Sequence, residues 1–112
     1  MKTFLLTFVF AVALNAQDGN VEKGKKIFLT VGCYECHGTV GQGTVAGARI
    51  GPPVLPVVGF LRYVRRPGGA MPAFTDKVLT DQDLTDVYAY LKSVPGVKAV
   101  KDIPLLNDLK AK

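Results

Sequence analysis

The stretch Cys33-Tyr34-Glu35-Cys36-His37 constrains this chain more than any other. Two thiols separated by two residues, with an imidazole directly after the second, form the spacing of a covalent haem attachment site. Each thiol can add across one vinyl group of the porphyrin. The two vinyls lie on neighbouring pyrrole rings, and a short helical turn spans them. His37 is then carried beneath the macrocycle, where a ring nitrogen can bind iron. A chain built this way has to wrap a flat apolar disc, starting from this turn.

A Cys-x-x-Cys pair also occurs in dithiol redox sites, zinc sites and small disulfides. A thioredoxin-like site expects a preceding strand in a βαβ setting, whereas residues 20–30 read as a helix. A structural zinc takes four ligands, and two Cys with a single His fall one short. A disulfide between Cys33 and Cys36 would close a small, strained ring. Haem attachment is the reading that uses all three side chains in this order.

Residues 1–16 are set aside from the fold. Lys2 gives a positive start, residues 4–14 are apolar but for one Thr, and Ala16 supplies a small residue at the cleavage side. This is the pattern of a secretory signal peptide. The run is shorter than the roughly 20 residues that span a bilayer, and no Cys follows it to carry a lipid anchor. An uncleaved membrane tether is the alternative. The expected division is a signal peptide over 1–16 and one domain over 17–112, periplasmic or otherwise exported, with no membrane span after cleavage.

Removal of Lys2 takes the net charge from +5 to +4. A mildly basic domain suits docking against acidic partner surfaces. The basic residues are too scattered for nucleic acid, with Arg65-Arg66 the one arginine pair.

Asn20 reads as the N-cap of a first helix, with Val21, Gly24, Phe28 and Val31 at helical spacing. Gly32 ends that helix. Residues 38–70 hold eight Gly and four Pro among 33 positions, a composition that reads as loop wrapped around something. Pro56 opens a second helix reaching about Arg65, and Pro67 stops it. Thr80 caps a last helix, with Asp83 placed for a capping box. Leu84, Val87, Tyr90, Leu91 and Val94 form its apolar face, and Pro95-Gly96 ends it. In the tail, Ile103-Pro104-Leu105-Leu106 is apolar enough to pack back on the body.

With Gly51-Pro52-Pro53, Gly69-Ala70-Met71-Pro72 and Ala89-Tyr90-Leu91-Lys92 added to the Cys-x-x-Cys-His turn, residues 20–95 resemble the class I c-type cytochromes. The resemblance implies an all-α, small cytochrome c fold. Three to four helices and Gly/Pro-rich loops would wrap one haem c bound covalently through Cys33 and Cys36. It implies His37 and Met71 as the axial ligands, and the Pro52 carbonyl as acceptor for the His37 nitrogen that does not touch iron. Once Met1 is removed, Met71 is the one thioether left, and His37 is the one imidazole. Gly24 and Phe28 are expected to meet Val87 and Tyr90 where the first and last helices cross.

The function so implied is one-electron transfer rather than enzymatic turnover. Its partners would be redox proteins, a dehydrogenase donor and an oxidase or reductase acceptor, with acidic docking surfaces. A narrower likeness to cytochrome domains of bacterial dehydrogenases leaves open a free carrier or an electron-accepting subunit. Met71 lies 34 positions after His37, a short separation that would expose the haem propionates to Arg49, Arg62, Arg65 or Arg66. The alternatives are a ligand-binding or peroxidase-like haem protein with Met71 off the iron, and a haem-free dithiol oxidoreductase.

Overall fold

The computed structural model describes residues 18–110. The expected signal peptide over 1–16 lies outside the described residues. The described chain is all-helical: α1 spans Val21–Thr30, α2 Cys33–His37, α3 Val57–Arg65, α4 Asp81–Ser93 and α5 Pro104–Lys110, with a 3-10 turn at Val100–Asp102. This is the architecture of a small cytochrome c fold.

Helix α1 begins where the sequence places it. The Asn20 side chain accepts from the Lys23 N–H at 2.8 Å, and Glu22 in the first turn faces the positive end of the helix dipole. Thr80 and Asp83 form a full capping box at the start of α4. Pro56 proves to be the cap of α3 rather than its first residue.

The framework is the packing of α1 along α4, with α3 laid against α4. A Cβ on Gly24 would run into the carbonyl of Asp86 and the backbone nitrogen of Val87, so the two backbones touch where α1 crosses. One turn later Phe28, fully buried, meets Tyr90 with ring centroids 5.6 Å apart. The expected crossing of Gly24 and Phe28 with Val87 and Tyr90 is thus present.

A polar cluster ties the same crossing. Asp86 is 1% exposed. Its carboxylate accepts from the Asn20 N–H at 2.8 Å and the Gln82 amide at 2.9 Å, and pairs with Lys23 Nζ at 3.1 Å. Lys23 also reaches Asp83 at 3.1 Å. Burial pushes the Asp86 carboxyl up, but those three donors outweigh it and hold the group below the usual carboxylate range. The Thr80 hydroxyl and N–H, then Lys23, lower Asp83 likewise. Hydrogen bonds to Asp86 and Asp83 raise Lys23.

The tail departs from expectation. Among the helices, α5 touches only the 3-10 turn before it, and Leu105 and Leu109 stand exposed. Ile103-Pro104-Leu105-Leu106 therefore does not pack on the α1–α4 body. Pro104 opens a short separate helix instead.

Carboxylates lowered in the folded state contribute stability above their unfolded value, near 3.9, that is lost as pH falls through the folded value. The denaturation midpoint should therefore drop as pH falls below about 4. Asp86→Asn should flatten that acid limb and cost about 1–3 kcal/mol at neutral pH, because donors aimed at a carboxylate lose their partner. Gly24→Ala gains about 1 kcal/mol of helix propensity. The steric cost of driving a methyl into the α4 backbone is larger, about 3 kcal/mol. Thermal unfolding should show a clear net loss of stability.

Candidate haem site

Helix α2 carries the motif. Gly32 and Gly38, at φ +87° and +79°, bracket it, and this left-handed backbone lets so short a helix turn sharply at both ends. The glycine-rich loop folds back onto α2. The Gly43 N–H donates to the His37 carbonyl at 2.8 Å, and the Thr44 hydroxyl to the Cys36 carbonyl at 2.6 Å. A Cβ on Gly47 would lie 2.7 Å from the Cys36 oxygen, so only a glycine lets the loop lie this close.

That approach sets the histidine. His37 Nδ1 is 2.7 Å from the Ala48 carbonyl oxygen. A carbonyl can only accept, so Nδ1 bears the proton and Nε2 is left with its lone pair for a metal. The expected acceptor, the Pro52 carbonyl, is not the one used. The close contact of Gly47 with Cys36 brings Ala48 to the ring first. Pro52 follows a cis Gly51-Pro52 bond and is absent from the residues that line the cavity described next.

A cavity of about 620 Å³ opens beside α2, within the roughly 300–1,000 Å³ range of cofactor sites. Cys33, Cys36 and His37 form one wall, and Met71 with Ala70 and Pro72 lines another. Apolar side chains including Phe28, Ile50, Phe60, Val64 and Leu84 supply most of the remaining lining. Met71 is half-buried against the core. The donor set is thus two thiols, an imidazole nitrogen and a thioether around an apolar slot, which fits a haem c. None of the four arginines lines the cavity. Arg65 is engaged elsewhere, 2.7 Å from Asp81 and 3.0 Å from the Phe74 carbonyl.

Both cysteines are free thiols. Burial pushes the Cys33 thiol up, with a smaller opposing backbone hydrogen bond. A reactive dithiol site needs the reverse, a thiol depressed toward thiolate. Among the described residues no three His, Cys, Asp or Glu side chains gather into a metal set, and no helix is long and apolar enough to cross a membrane.

Two tyrosines of α4 fix the ends of the loop. The Tyr90 hydroxyl donates to the Thr39 carbonyl at 2.8 Å and the Tyr88 hydroxyl to the Leu55 carbonyl at 2.9 Å. Sequence reading missed Thr44, Gly47, Ala48 and both tyrosine tethers. Two glycines spaced around Thr44 were the available sign of a tight return.

Comparison with curated proteins and with solved structures gave no significant match. A family model described as "Cytochrome C oxidase, cbb3-type, subunit III" matches residues 19–91. That span runs from the cap of α1 through most of α4 and contains the whole cavity wall, both thiols, His37 and Met71. The chain is a class I c-type cytochrome and belongs to this family.

Proposed function

We propose that the protein is an exported one-electron carrier holding one haem c through Cys33 and Cys36, with His37 Nε2 and Met71 Sδ as axial ligands. The observation that carries this reading is the set of side chains on one apolar cavity. It joins both thiols, an imidazole whose other nitrogen is already committed to Ala48, and the one thioether outside Met1. In this reading residues 1–16 direct export and the cytochrome domain spans 17–112.

When bound, haem c supplies the Fe(III)/Fe(II) couple, whose potential a thioether opposite imidazole raises. The chain's residues hold that group still. The Ala48 carbonyl fixes the ring plane of His37 and raises its basicity as a ligand. Thr44 and Gly43 pin the α2 carbonyls, so the thiols and His37 move as one unit. Met71 sits on a segment tied back to α3, since the Phe74 N–H donates to the Val64 carbonyl at 3.2 Å. Phe28, Val64 and Leu84 keep water from the interior. With His37 and Met71 both committed to holding the group, bound haem would exchange electrons without admitting a substrate to its iron.

Dehydrogenases are the donors proposed for the carrier, which acts either free or as their electron-accepting subunit. The family description names an oxidase subunit, which supports the oxidase among the proposed acceptors.

The test is an optical spectrum of the haem-loaded protein in both oxidation states, followed by carbon monoxide addition to the reduced form. The oxidised protein should show a weak far-red sulfur-to-iron band, and the reduced protein should ignore carbon monoxide. Met71→Ala should abolish the band, admit carbon monoxide and lower the reduction potential. Rapid carbon monoxide binding by the unaltered protein would replace this reading with ligand sensing or peroxide chemistry.

A further inference from the structure

The charges of this chain are unevenly distributed along it. Residues 36–75 contain no Asp, Glu or Lys, yet they hold all four arginines: Arg49, Arg62, Arg65 and Arg66. The nine acidic residues and the lysines lie outside that stretch. The acid-free stretch supplies the loop, α3 and the Met71 segment, which together supply much of the cavity's lining.

On α3 the arginines meet an apolar strip. Leu55, Gly59, Arg62, Tyr63, Arg65 and Arg66 line a shallow open groove along α3. Val58, one turn before Arg62, is 63% exposed, and Val54 is 87% exposed. Leu55 and Tyr63 line the groove and the cavity at once, so the groove adjoins the cavity. Arg65 is partly neutralised by Asp81. Arg62 and Arg66 have no acidic partner among the described residues, and α3 carries no acid of its own.

We propose that this outer face of α3 is the docking site for an acidic redox protein. Val54, Leu55 and Val58 would give the dry centre, and Arg62 and Arg66 the carboxylate contacts. The proposal rests on the electron-carrier reading above, because a docked partner lies next to the cavity only if the cavity holds the redox group. Guanidinium groups suit this role because their planar donor fork binds carboxylates in pairs and is weakly hydrated. A field of one sign around an apolar centre steers encounter and fixes register more than it adds affinity. The lysines of α1, Lys25 and Lys26, are as basic but lie on a different helix, away from the cavity lining.

The experiment uses the haem-loaded full chain and an acidic blue-copper protein as redox probe, with the second-order electron-transfer rate measured across ionic strength. Arg62→Glu/Arg66→Glu and Lys25→Glu/Lys26→Glu change net charge equally. The arginine pair should lower the rate about tenfold at low salt and flatten its salt dependence, while the lysine pair should change it less than about twofold. Arg62→Gln/Arg66→Gln should give an intermediate loss and serves if the charge reversal fails to accumulate. Equal losses in both pairs would overturn the proposal, since net charge alone would then explain them. A shifted far-red band or reduction potential in the arginine variants would overturn it in favour of arginines serving the cofactor's carboxylates. Arginine-dependent flotation with anionic lipid vesicles, at an unchanged protein rate, would overturn it in favour of a membrane surface. An arginine-dependent rate in a protein that lacks the far-red band would support the docking face while removing Met71 from iron.

Discussion

The point at which Gly24 of α1 meets the α4 backbone at Asp86 and Val87 holds the rest in place. A side chain there would push the two helices apart by the width of a methyl, and the cavity between them and α3 would change shape. Packing and polar contacts divide the work. Burial of a side chain the size of Phe28 contributes about 1.5–3 kcal/mol, whereas each neutral hydrogen bond contributes about 0.5–1.5 kcal/mol net. The apolar contacts therefore supply most of the stability. Asp86, accepting from three donors on two helices, fixes which turn of α1 faces which turn of α4.

From that crossing, α4 acts as the spine for a segment that has little regular structure of its own. Tyr90 holds the Thr39 end of the loop and Tyr88 the Leu55 end. Between them the Gly41 carbonyl accepts from both the Ile50 and Gly51 N–H groups, at 2.8 and 2.9 Å. The loop is thus closed into a small ring before it reaches the histidine. A site whose side chains sit on tethered backbone starts close to its working geometry.

Much of this was legible in the sequence, and what was not has a common cause. Asn20, Thr80 with Asp83, and the Cys-x-x-Cys-His turn act on neighbours within four residues, so their spacing alone announces them. Met71 was picked out because it is the one thioether outside Met1, and it does line the cavity. The acceptor for His37 was not, because any residue offers a carbonyl and the choice of Ala48 over Pro52 depends on how closely Gly47 approaches Cys36. Nothing in the local sequence sets Asp86 apart from the other polar positions of α4. Its burial follows from Asn20 and Lys23, more than sixty residues away. The tail misled for the opposite reason: local apolar character was clear, but nothing in it specifies which surface receives it.

The cavity also has a consequence for how the protein comes into being. A largely apolar recess of about 620 Å³ leaves the side chains that line it without packing partners on one side. A group that binds there only in the folded chain would add its binding free energy to the stability, so folding and occupancy of the cavity are coupled.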